Sequence, residues 1–325
     1  MTEPEVFSQT IPTELAGQRL DQALTAMFPD YSRARLQRWI KDGCVTVDGA
    51  QMKPRDLVHG GQRVQLSVVL EEETRWRPQA LPLDIVYEDA SVIVINKPAG
   101  LVVHPGAGNV DGTLSNALLH HAPELELVPR AGVVHRIDKD TSGLLVIART
   151  LKAQKSLVEQ LQDRAFEREY EALTQGVMTA GGTVDAPIGR HPVHRLRQAV
   201  VPNGKEAITH YRVLEKFRAH TYIKAKLETG RTHQIRVHMA YIHYPLVGDP
   251  LYGGRLRLPA GATPELEEAI RAFKRQALHA ARLGFVHPES GKVVEWQVPL
   301  PDDMAQLIGA CRRDLEHFGK GQHET

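Results

Sequence analysis

Apolar residues recur at Leu20, Ala23, Leu24 and Met27, the i, i+3, i+4, i+7 spacing of one helix face. Pro29-Asp30 breaks that stripe, and Ser32 is placed to cap a second helix. This helix turns Leu36, Trp39 and Ile40 inward and stops at Gly43. Cys-Val-Thr-Val-Asp-Gly at 44–49 then alternates as a short strand entering an Asp-Gly turn, and a further strand follows around 63–69. Two short helices and a small hairpin predict a compact module with its core over 17–70, within a unit spanning 1–70. Residues 71–82 show no periodicity and read as a linker.

A larger domain follows over 83–325. Strands are predicted at 85–87, 92–96, 133–136, 144–148, 169–174, 208–215 and 221–228, with helices at 113–121 and 151–161. Strands come in hairpins with helices interspersed irregularly. That pattern favours an α+β domain with a mixed, mainly antiparallel sheet over strict βαβ winding. A second domain also suits a chain of 325 residues.

Composition narrows the class. Hydrophobic residues make up 42% and charged residues 24%, the range of a soluble globular protein. No apolar run reaches the length of a membrane span, and the acidic start MTEPEVFSQT has no secretory core. Cys44 and Cys311 stand far apart, which excludes a cysteine zinc site and points to a reducing compartment, the cytoplasm. The net charge is only +1, but it is segregated. Arg33, Arg35, Arg38 and Lys41 form one acid-free run; Arg190, Arg195, Arg197 and Lys205 form another. Arg35, Arg38 and Lys41 are spaced three apart, so one helix face presents them, as a phosphate backbone requires.

Two patterns carry no chemistry. Gly106-Ala107-Gly108 lacks the third glycine of a dinucleotide fingerprint, since position 111 is Asp. His233, His238 and His243 are five apart, not the four that align metal ligands on a helix. Three segments concentrate polar and small residues among apolar ones: NKPAGLVVHPGAG at 96–108, HRIDKDTSG at 135–143 and ETGRTHQIRVH at 228–238. The second presents two carboxylates, Asp138 and Asp140, in a loop between two predicted strands. Residue types alone leave these two equal, and leave a structural turn as open as a catalytic one.

These motifs, in this order, resemble the pseudouridine synthases that act on large-subunit ribosomal RNA. TAGGTVDAPIGRHP at 179–192, HYPLVGDPLYGG at 243–254 and RQALHA at 275–280 agree, so the likeness covers essentially the whole chain. Residues 17–70 resemble the RNA-binding domain named for ribosomal protein S4. Ile137 replaces the family's usual Leu, a change that conserves volume. The resemblance implies that Asp138 is the catalytic aspartate, Tyr170 the tyrosine against the base and Arg231 the arginine paired with Asp138. It implies that His135 and Arg136 displace the target nucleotide. It implies a substrate in 23S ribosomal RNA, at the helix 69 stem-loop, and an isomerisation that needs no cofactor or metal. Nothing suggests an obligate dimer. A non-catalytic RNA-binding assembly factor built on the Arg33–Lys41 helix is the competing reading. A glycoside-type hydrolase is another, but would need a second, well-placed carboxylate.

Overall fold

The computed structural model describes residues 5–29, 31, 33–68, 76–106, 108–194 and 197–321. The N-terminal module contains β1 (Glu5–Thr10), α1 (Leu20–Met27), α2 (Arg33–Lys41), β2 (Val45–Val47) and β3 (Arg63–Val68). Its antiparallel sheet has the order β1-β3-β2. The expected helices are present, but the hairpin gains a third strand, because Phe7 and its neighbours pair along β3. The Asp-Gly turn is real. Asp48 and Gly49 both take positive φ, 51° and 81°, as a type I′ turn requires. Leu20, Leu24, Leu36, Ile40, Val45 and Leu66 form the core between helices and sheet. The expected cap Ser32 lies outside the described residues.

The larger domain is built on β4 (Ile85–Glu88), β5 (Val92–Lys97), α3 (Leu114–His121), β6 (Ser142–Ala148), α4 (Leu151–Gln162) and β7 (Glu167–Gln175). It continues through β8 (Gly182–Asp185), β9 (Ile188–Arg190), β10 (Gln198–Val200), β11 (Ile208–Lys216), β12 (His220–Leu227) and α5 (Gln234–Tyr241). It ends with α6 (Pro264–Ala272), β13 (Leu278–Val286), β14 (Val293–Gln297) and α7 (Asp302–Gly321). The main sheet runs β4-β5-β6-β13-β7-β12-β11-β8, with β14 on β13. Only the β6–β13 pair in it is parallel, so the architecture is α+β with a mixed, mainly antiparallel sheet. The helix at 114–121 is capped by Thr113, whose hydroxyl accepts from the Asn116 amide.

One expected strand is absent. Residues 133–136 make a single bridge, Val133 to Ile147, and otherwise run as irregular chain. The reason lies just upstream, where Arg130, Ala131 and Gly132 take left-handed φ values of 57°, 49° and 75°. That turn brings Gly132 so close to β6 that a Cβ would stand 2.0 Å from the Ala148 carbonyl oxygen. The HRIDKDTSG loop therefore hangs from one strand, β6, rather than between two. Several helices escaped the periodicity reading. α5 is buried over Gln234–Met239, with no polar face to mark it.

Candidate active site

The loop of residues 135–141 is held from beneath. Lys97, at the end of β5, is fully buried, and its ammonium donates to the carbonyls of Pro98, Leu101 and Lys139 at 2.7, 2.9 and 2.9 Å. All three of its N–H bonds are thus used. Burial pulls its pKa down to about 7, against the nearby charges of Asp140 and Asp138. The Gly100 amide donates to the same Lys139 carbonyl, and Gln276 reaches the Thr141 hydroxyl at 3.0 Å. Gly143, the second residue of β6, takes φ +112°, where a Cβ would meet the Ala280 carbonyl oxygen at 2.3 Å. Only glycine lets β13 approach here.

This scaffold points Asp138 into a pocket of about 590 Å³, within the range of clefts that bury a small ligand. His135, Arg136, Asp138, Tyr170 and Arg231 all line it, so the structure gathers these five expected residues in one place. Asp140 does not line it, which separates the two carboxylates that residue types left equal.

The expected ion pair is corrected. Arg231 does not hold Asp138: its Nε donates to the Glu206 carbonyl at 2.9 Å. Arg236 holds Asp138, with Nη1 2.8 Å from Oδ2. The cause is the turn between them. His233 takes φ +59° and starts α5, so Arg231 stays on the rim while the first turn of α5 carries Arg236 inward. Arg236 is only 4% exposed. Its other face is clamped by the buried Asp249, with Nε–Oδ2 at 2.7 Å and Nη2–Oδ1 at 2.9 Å. Asp249 is completed by the amides of Leu251 and Tyr252. Burial disfavours the guanidinium charge, but Asp249 and Asp138 outweigh it and raise the Arg236 pKa above the ordinary arginine value. Gln234 fixes the turn by accepting from the Arg231 amide and the Thr229 hydroxyl. His233 stands 3.8 Å from the other Asp138 oxygen, and its Nδ1 shares a hydrogen bond with the Tyr252 hydroxyl. Burial lowers its pKa, with Asp138 opposing.

Tyr170 projects from β7 on the same face as Arg168 and Ala172, and is buried against Ile137 and Leu278. Burial raises its pKa. Arg136 is exposed at the mouth. His135 lines the pocket and is tied to β6. Its Nε2 accepts from the Val146 amide at 3.2 Å and its ring packs edge-on against Phe166. Burial and the Arg168 charge push its pKa down to about 3, so it is neutral and anchors the loop to β6.

The basic residues expected to touch RNA lie elsewhere. Arg33 is committed to the N-terminal module, with Nη2 2.7 Å from the buried Asp21. Burial alone would raise the Asp21 pKa; hydrogen bonds from Arg33, Gln37 and Arg19 bring it down to about 2. Arg35 lies over the Trp39 ring at 5.6 Å, and Arg38 pairs with Asp42 at 3.5 Å. Lys41 is exposed. Arg195 lies outside the described residues, and Arg197 is half-buried after β9. Periodicity missed Arg236, Asp249, Arg168 and Lys97. A lone acid in the apolar stretch HYPLVGDPLYGG was the one available signal for Asp249.

Residues 91–241 match the family model described as RNA pseudouridylate synthase, and residues 18–64 match the S4 domain. The chain is 58% identical over 308 residues to ribosomal large subunit pseudouridine synthase D of Pseudomonas aeruginosa, covering 95% of this chain and 96% of that protein. It is 58% identical over 311 residues to the protein of the same name from Escherichia coli (strain K12), covering 95% of both. Among solved structures, human RNA pseudouridylate synthase domain containing 4 shares the fold with a TM-score of 0.56 and 26% identity, over 70% of this chain and 93% of that one. With Asp138, Arg236 and Tyr170 converging in one pocket of this fold, the chain belongs to the RNA pseudouridylate synthase family and is a pseudouridine synthase, an isomerase carrying an N-terminal S4 domain.

Proposed function

We propose that this enzyme isomerises uridine to pseudouridine in large-subunit ribosomal RNA, at the helix 69 stem-loop, with Asp138 as its reacting carboxylate. The observation that carries the reading is Asp138 in the pocket, 2.8 Å from the buried Arg236. The names of the relatives supply the large-subunit substrate.

The target uridine leaves its stack at a cost of a few kcal/mol. Arg136, at the mouth, fills the vacated place with its guanidinium plane. In the pocket the N1–C1′ bond breaks and its electron pair stays on the uracil. Asp138 either bonds to C1′ or takes the C2′ proton to leave a glycal; in both routes the base is released as an anion. The base turns and C5 bonds to C1′ as the Asp138–C1′ bond breaks or, on the glycal route, as the C2′ proton returns; the C5 proton then leaves and N1 takes up a proton. Atoms balance without an oxidant or reductant. Tyr170 stacks on the ring while it turns. Arg236 aims the carboxylate and prevents it from swinging away. Arg38, Lys41 and Arg197 contribute phosphate contacts outside the pocket.

Pseudouridine mapping in 23S ribosomal RNA tests this. Cells lacking the gene should lose the modification in helix 69, wild-type protein should restore it, and Asp138→Asn should not. Restoration by Asp138→Asn refutes the catalytic reading and favours a non-catalytic assembly factor.

A further inference from the structure

Arg168 is a buried pocket-lining arginine to which the reading above gives no role. It is 7% exposed and shares a face of β7 with Tyr170, two residues on. Two other arginines that line the pocket are paired with acids. Arg236 has Asp138 and Asp249; Arg164 has Glu206 and Glu228. Arg168 has no carboxylate within ion-pair distance among the described residues. Its Nε is buried with no hydrogen-bond partner, and Nη2 makes one long contact, 3.5 Å, to the Glu228 carbonyl. The fold nevertheless makes room for it. A side chain at Gly230 would place its Cβ 2.8 Å from Nη1.

A buried cation without a counter-charge is costly, by several kcal/mol. A pocket retains one when its occupant supplies the negative charge. Two parts of a flipped nucleotide carry such charge. Its phosphates stay on the RNA strand, at the mouth, where the exposed Arg136 stands. The base goes to the depth of the pocket, beside Tyr170 and Arg168. It is neutral on entry and negative only after the N1–C1′ bond has broken. Its charge then spreads over N1, O2 and O4, a row of acceptors that suits a planar guanidinium.

We propose that Arg168 is a further catalytic residue, whose free Nε–H and charge hold the uracil anion in the pocket while it turns from N1 to C5. This rests on the uridine-isomerising reading. The N1–C1′ electron pair becomes the anion's charge, Arg168 neutralises it, and the pair is spent when C5 bonds to C1′. The charge appears after binding, so Arg168 acts on the rate and not on RNA affinity.

The test uses the full-length enzyme in single-turnover reactions with two helix 69 stem-loops, one carrying uridine and one 5-fluorouridine at the target. Fluorine stabilises the departing anion and lessens the need for Arg168; because it leaves C5 no proton to lose, the rate on both RNAs is read as cleavage of the N1–C1′ bond. Arg168→Gln should lower the uridine rate by roughly 10²–10³-fold, as loss of one oxyanion donor does. RNA dissociation constants from filter binding should stay within about twofold. The loss on 5-fluorouridine should be at least about tenfold smaller. Arg168→Lys, which keeps the charge and tolerates the site if the Gln variant misfolds, should retain more activity and show the same substrate dependence. Equal losses on both substrates overturn the proposal in favour of a structural role. Lost affinity with a preserved rate overturns it in favour of a phosphate contact. If wild-type enzyme converts neither RNA, the substrate reading has failed rather than the role of Arg168.

Discussion

Replacing Arg236 by Met removes the partner of two carboxylates at once. Asp249, fully buried, keeps only the Leu251 and Tyr252 amides, at 2.9 and 3.0 Å. Stranding one charge of a buried pair costs about 3–5 kcal/mol. In a domain of this size each kcal/mol moves the melting temperature by about 2–4 °C, so Arg236→Met should lower it by about 6–20 °C. Adding Asp249→Asn removes the stranded charge yet leaves an oxygen for both amides. The double variant should therefore recover at least half of the loss in calorimetry. Activity should not follow. The Asp138–Arg236 hydrogen bond is charge-assisted, worth about 1.5–3 kcal/mol, so both variants should turn over roughly 10- to 150-fold more slowly in single-turnover assays. Two results would refute the reasoning. A single variant melting with wild type would mean that Asp249 does not depend on Arg236. A double variant regaining full turnover would mean that Arg236 is not what aims Asp138.

Two further outcomes follow from the loop's supports. Gly143→Ala puts a Cβ into the Ala280 carbonyl at a φ that only glycine tolerates, and should cost more than about 3 kcal/mol and abolish turnover; a fold and rate like wild type in chemical denaturation and turnover assays would show that β13 can yield. His135 titrates near its ordinary value of 6.5 when unfolded but at about 3 when folded, and His220 and His279 at about 4. Between those values the unfolded chain binds more protons, so stability should be full above pH 6.5 and fall as pH drops toward 4. Melting curves across that range should show a shallower fall in His135→Gln, and an unchanged slope would contradict a buried neutral His135.

The amphipathic stripes of the N-terminal module were legible because each helix buries one face against a small sheet and exposes the other. The large domain was legible in its edge-to-middle hairpins, where strand periodicity survives. It was not legible at 133–136, which pairs only through the Val133–Ile147 bridge because the left-handed Arg130–Gly132 turn sets the chain at the wrong angle. Nor was α5 legible, since a helix buried on most sides has no polar stripe to give a period. The motif HRIDKDTSG singled out the loop of the candidate site, but its acids are two residues apart and identical in type. Their separation is a matter of direction: the Lys97 ammonium, the Gly100 amide and Gln276 fix the loop so that Asp138 faces the pocket and Asp140 does not.

Local patterning was enough for the elements it controls and the α+β class, and the motif resemblance for the family and for Asp138 as the candidate aspartate. Which arginine meets that aspartate was decided only by tertiary structure. Arg231 and Arg236 lie five residues apart in one motif with the same side chain, and a single left-handed residue, His233, turns one to the rim and the other inward. The same holds for Arg168, whose lack of a counter-charge is a property of what surrounds it in space. Periodicity reports which face of an element is buried. It carries no information on which distant charges the fold brings against that face, or which it withholds.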